Sequence, residues 1–127
     1  MIKQCITLAV FVVGTYAGQA QAADTKLKSG TFTGESRHVT TGGVSIVKRG
    51  GKTLVVLAKD FSLDNGPDPK VGFGNNGFVK GTLVGKLKNL KGEQTYEVPA
   101  SIDVSKFNQV YIWCEQFSVP LGVASIK

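Results

Sequence analysis

Histidine, methionine, tryptophan and cysteine are all scarce in this 127-residue chain, which has one of each of the first three (His38, Met1, Trp113) and two cysteines, Cys5 and Cys114. A single imidazole excludes any metal site built within one chain on two or more histidines, and one His with one Cys falls two ligands short of an ordinary zinc site. A blue-copper centre would lack both its second His and its usual Met. There is no C-x-x-C-H, which excludes covalent c-type haem attachment, and the lone Met1 sits at the terminus, which excludes His/Met haem ligation. Non-covalent haem held by His38, by Cys114 as thiolate, or by a tyrosine stays open. Long apolar runs are missing too. Ile6 to Val13 is the best candidate, and Gly14, Thr15, Gly18 and Gln19 interrupt it well before the roughly twenty residues that a membrane-spanning helix needs.

That short run follows Lys3 and leads into Ala20-Gln21-Ala22, the pattern of a secretory signal cleaved after Ala22. Residues 1–22 are therefore expected to leave, taking Cys5 with them, and residues 23–127 to form a single periplasmic or secreted domain with no membrane span. Roughly 105 residues suffice for one ordinary domain with its own core. Cys114 is then the only thiol and has no intrachain partner, in a compartment where disulfides are otherwise permitted. Losing Lys3 lowers the net charge from +6 to +5. This mild cationic excess favours an anionic extracellular partner, while the absence of basic residues interleaved with aromatics argues against nucleic acid.

What the chain has in quantity is glycine, 16 residues spaced through its whole length. Frequent glycine divides a chain into many short segments. Apolar or alternating runs at Val44–Val47, Thr53–Leu57, Val71–Phe73, Phe78–Val84, Thr95–Val98, Val110–Cys114 and Val119–Ile126 are rich in valine, isoleucine and aromatics, the composition of strands. Asn76-Gly77 predicts a tight turn, and Asp103 caps an isolated helical turn before Phe107. The expected fold is all-β, an antiparallel sandwich of about seven to nine short strands, with a closed barrel as the alternative. From Phe78 to Lys88, alternation predicts a strand with one buried face and one largely basic face.

Gly72-Phe-Gly74-Asn-Asn-Gly77 fits the dinucleotide pattern G-x-G-x-x-G. That pattern works by placing pyrophosphate at a helix N-terminus, whereas the residues that follow here read as strand, so the glycines are assigned to a loop. Cys114 with His38, or Ser45 with His38, amounts to pair counting without a nucleophile elbow or oxyanion loop, so a catalytic role is not expected. On a strand, Val110, Ile112 and Cys114 share one face while Tyr111, Trp113 and Glu115 share the other, which gives Cys114 the surroundings of a buried hydrophobe.

Phe32, His38, Gly43-Val-Ser-Ile46, Asp60-Phe61, Gly66-Pro-Asp-Pro-Lys-Val71, Gly81-x-Leu83, Gly92-x-Gln94-x-Tyr96 and Val110-Tyr-Ile-Trp-Cys-Glu-Gln-Phe-Ser-Val119 occur in an order that resembles the DM-thirteen domain, from about Ser29 to Ile126. The resemblance implies an electron-transfer domain whose hallmark cysteine, a bare thiol or a prosthetic-group ligand, corresponds to Cys114. The family's early histidine corresponds to His38. It also implies a redox partner, which this chain does not carry as an adjacent domain. On this reading Cys114 is the functional centre, Cys114 and His38 are the candidate haem contacts, and Trp113, Tyr111 and Phe117 shape the site. The alternative is a non-catalytic binding module in which Cys114 is core packing and the lysine face or the Gly66–Gly77 loop meets a partner.

Overall fold

The computed structural model describes residues 23–127; the expected signal segment lies outside the described residues. Ten strands follow one another: β1 (Thr25–Gly34), β2 (Thr40–Thr41), β3 (Gly43–Arg49), β4 (Lys52–Leu57), β5 (Ser62–Leu63), β6 (Pro69–Gly74), β7 (Gly85–Lys86), β8 (Gln94–Glu97), β9 (Gln109–Cys114) and β10 (Val119–Ser125). Eight of them form one antiparallel sheet in the order β7-β6-β9-β10-β1-β3-β4-β8, and β2 pairs with β5 separately. The fold is all-β, as the glycine spacing and short apolar runs predict.

The sheet curls until its two edges approach, so it is both a two-layer sandwich and a nearly closed barrel. At the seam a Cβ on Gly85 would stand 3.6 Å from the Tyr96 ring. No ladder joins β7 to β8; side chains do the work. Tyr96 Oη accepts from Lys88 N at 2.8 Å and donates to Gln94 Oε1 at 2.6 Å, while the Gln94 amide grips the backbone of Asn89 in both directions. Burial of the phenol pushes the Tyr96 pKa up.

Inside the curl, alternation places Val44, Ile46, Val55, Leu57, Val71, Phe73, Val110, Ile112 and Leu121 in one core, each at most 2% exposed. Phe61 meets Phe32 edge-on at 5.4 Å and Phe73 stacks on Phe107 at 5.6 Å. The turn beginning at Asp103 is a short 3-10 helix, Val104–Lys106, capped by the Asp103 carboxylate on Ser105 N.

The strand expected over Phe78–Lys88 is not there. Only Gly85 and Lys86 are strand, and Phe78 makes a single bridge to Gly74. Gly81, at φ +91, turns the chain, and Thr82, assigned by alternation to the basic face, is instead buried. Its hydroxyl accepts from Phe73 N at 3.0 Å and lies 2.7 Å from the Val79 carbonyl, so side-chain bonding replaces a ladder. The basic face predicted on that strand dissolves with it.

Candidate functional site

Antiparallel pairing carries the sequence-derived residues to one end of the barrel. Cys114 closes β9 and lies opposite both Pro69 at the start of β6 and Val119 at the start of β10; Gly34, at the end of β1, lies opposite Gly122. The loops beyond these positions, 35–39, 64–68 and 115–118, therefore gather at the Cys114 end. His38 belongs to the first of them.

The Cys114 thiol is free, faces the core beside Val110 and Ile112, and has no exposed surface. The turn that follows leaves β9 immediately, with Glu115 N donating to the Asp68 carbonyl at 3.3 Å and Ser118 in the left-handed region at φ +53. Phe117, on this turn, is 61% exposed, so its ring meets solvent rather than the packed side of the thiol. Among the described residues, no group of three or more His, Cys, Asp or Glu side chains gathers as a metal site. A haem does not fit at Cys114 as packed here, because the thiol offers no open surface to a macrocycle.

His38 sits after a tight reversal in which Ser36 and Arg37 both adopt positive φ, 54° and 66°. Its Nδ1 pairs with Asp64 Oδ1 at 3.1 Å, and Asp64 Oδ2 accepts from Val39 N at 3.0 Å, so one carboxylate ties loop 35–39 to loop 64–68. A Cβ on Gly66 would stand 3.4 Å from His38 Cε1 and 2.9 Å from a Leu121 methyl, which is why glycine occupies that position under the histidine. The backbone donation from Val39 is the main influence holding the Asp64 carboxyl below its usual 3.8, with Asn65 N and His38 acting in the same direction against partial burial.

A folded-state pKa below the unfolded value stabilises the fold above the ordinary aspartate range, and that stabilisation is lost as pH falls through the lowered value. Asp64→Asn should therefore flatten the acid limb of stability below about pH 4. Urea midpoints measured in steps from pH 6 to pH 2 check this; identical acid limbs for both proteins would remove Asp64 as the tie between the loops.

On the reverse side of β9 from Cys114, Trp113 stacks on Phe78 at 4.2 Å with an 11° interplanar angle, and Tyr111 meets both edge-on at 6.1 and 6.3 Å. The glycine pattern finds its explanation in these rings. Gly72 and Gly74 face outward, alternating with core residues Val71 and Phe73. A Cβ on Gly72 would come within 2.9 Å of Phe78, and one on Gly74 within 2.4 Å of Tyr111 and 2.2 Å of the Gly77 carbonyl. Strand backbone thus makes room for aromatic side chains, and no helix follows for a phosphate to meet. Lys70, opposite Trp113 in the ladder, pairs with Asp68 at 3.7 Å and with Glu115, whose hydrogen bond is the main influence raising the Lys70 pKa.

The family model described as Electron transfer DM13 matches residues 31–126, from β1 to the residue after β10. The chain belongs to the DM13 family. No curated protein and no solved structure matches it. The DM13 match spans His38, Cys114 and the aromatic trio together, and its description connects the domain with a redox-related role. Sequence reasoning about this DM13 domain reached Cys114, His38, Trp113, Tyr111 and Phe117 and missed Phe78, Asp64 and Lys70. Phe78 had a usable signal: two glycines at i and i+2 of a strand beside aromatics leave a space that something must fill.

Proposed function

We propose that this DM13 domain is exported after cleavage behind Ala22 and serves as a redox accessory in which Cys114 is the reactive group. The observation that carries the proposal is the position of the domain's sole thiol within the Electron transfer DM13 match, at the last residue of β9 and next to a short turn. A lone thiol has no intrachain disulfide to cycle through. Its chemistry is intermolecular: the Cys114 thiolate attacks one sulfur of a partner disulfide, a mixed disulfide forms, and the other partner sulfur leaves as thiolate. Burial makes this conditional on motion, because the thiolate must lose its core packing before it meets a partner. The 115–118 turn is the smallest element whose opening achieves that.

Two measurements test the reading. Folded mature protein held with excess oxidised glutathione should gain one glutathionyl adduct, absent in Cys114→Ser, and its visible spectrum should be featureless before and after reduction. A Soret band that disappears in Cys114→Ser would replace the bare-thiol reading with thiolate-ligated haem. An intact mass that still includes Met1 would remove the export step.

A second reading has its own support: Cys114 lies in the apolar core cluster with no exposed surface. If packing is its whole role, Cys114→Ser shifts stability by about 1 kcal/mol or more through the buried hydroxyl and leaves partner recognition intact.

A further inference from the structure

Outside the barrel, next to the Cys114 end, lies a groove of about 360 Å³ lined by Phe78, Lys80, Trp113, Glu115 and Ser118. Its volume is at the lower end of the range for small-molecule sites, roughly 300 Å³ upward. The floor is the stacked Trp113–Phe78 pair, which Tyr111 buttresses from the side and Gly72 accommodates from beneath. Such a floor, fixed on strand β9 and a glycine-cleared β6, is rigid and electron-rich. Its polar groups are unequal. Lys70 engages Glu115, whereas among the described residues no carboxylate engages Lys80. The groove therefore offers a free ammonium donor, a hydroxyl at Ser118, and one carboxylate whose charge is already offset.

We propose that this groove binds a quinone, a flat electron-poor ring carrying carbonyl oxygens. Each ring of the stacked pair covers one face of the other, and an electron-poor ring complements the negative face left open toward the groove. Its carbonyl oxygens are acceptors for the two donors available, Lys80 Nζ and Ser118 Oγ, and charge assistance makes the first of these the stronger bond. In the reduced quinol, the same oxygens carry O–H donors, for which Glu115 is the acceptor at the rim. A ligand without a flat face would leave the aromatic floor unused, and an aliphatic one would leave Lys80 unpaired. The inference deepens the redox reading by naming the class of small molecule, and it rests on that reading only for its purpose, since binding is measured without electron transfer.

Trp113 is the only tryptophan in the sequence, so its fluorescence reports on this groove alone. Titration of the mature protein with the neutral, water-soluble 2,3-dimethoxy-5-methyl-1,4-benzoquinone should give saturable quenching. Lys80→Ala should raise the Kd about tenfold through loss of the charged donor, and Phe78→Ala about fivefold through loss of the stacked ring. Lys59→Ala, at an exposed position outside the groove lining, should bind as the parent does. Quenching that rises linearly without saturation, or saturable quenching that Lys80→Ala leaves unchanged, would overturn the proposal, as would saturation by a neutral oligosaccharide that displaces the quinone. Parent-like binding with no Cys114 adduct under oxidised glutathione would sink the thiol reading and leave the groove standing; an adduct without saturable quenching would do the reverse.

Discussion

Gly30→Ala is expected to lower the stability of the domain by about 3 kcal/mol or more. Gly30 sits in β1 where the strand passes from its pairing with β3 toward its pairing with β10. A Cβ there would stand 1.8 Å from the Ser125 carbonyl oxygen and 2.8 Å from its carbon. Those atoms belong to backbone, so no rotamer change relieves the clash and the two strands must separate. The same region carries the reciprocal Ser29–Lys127 backbone bonds at 3.0 and 3.1 Å, which separation would break. A domain of this size is stable by about 5–15 kcal/mol, so the loss is a large share of the total. Gly43→Ala is the matched control, because its Cβ would meet Ala58 at an ordinary 3.6 Å and its backbone is not left-handed. The control should move stability by no more than about 0.5 kcal/mol. Urea midpoints for the two variants decide the matter: equal midpoints would mean that β1 and β10 do not approach as closely as described.

The second large effect concerns how Cys114 meets solvent. A bulky thiol reagent should label the folded protein about a thousandfold or more slowly than the unfolded chain, since a thiol with no exposed surface reacts only from an open form. The urea dependence of that slow rate carries the functional information. If the 115–118 turn opens by itself, little surface is exposed and the rate barely responds to low urea. If reaction waits for global unfolding, its logarithm climbs with the full slope of the equilibrium transition. The redox reading expects the flat dependence and the packing reading the steep one, so one series of rates separates them. Fast labelling without any protection would contradict the burial itself.

How legible all this was in the sequence depended on which force fixed each element. Val44–Val47, Thr53–Leu57, Val71–Phe73 and Val110–Cys114 fall within β3, β4, β6 and β9, because hydrophobic alternation directly records which face is buried. β1 escaped notice although it is the longest strand. Its side chains from Thr25 to Lys28 are largely exposed, Phe32 alone is fully buried, and main-chain pairing on both sides holds it, which leaves little trace in side-chain pattern. Phe78–Val84 misled in the opposite way, since its alternation is real but Gly81 turns the chain and the Thr82 hydroxyl takes the ladder's place. The candidate site was legible residue by residue and not as an assembly. His38 and Cys114 are 76 positions apart, and only the order β9-β10-β1 brings their loops to the same end. The apposition of Phe78 and Trp113 likewise needed the hairpin after β6 to fold back, which spacing alone does not encode.

The two ends of the strand order, β7 and β8, come from a single stretch of chain, Gly85 to Glu97. The curled sheet is thus a hoop whose clasp is one short excursion, and its other six strands are the band. Leu90 and Lys91 also fasten this clasp to the small β2–β5 ribbon, through Leu63 and Ser62. Lengthening the clasp would loosen the hoop without disturbing any rung of the band. The circumference of this domain is therefore set at the seam between β7 and β8, two strands along the ladder from the β9 strand that carries Cys114 and Trp113.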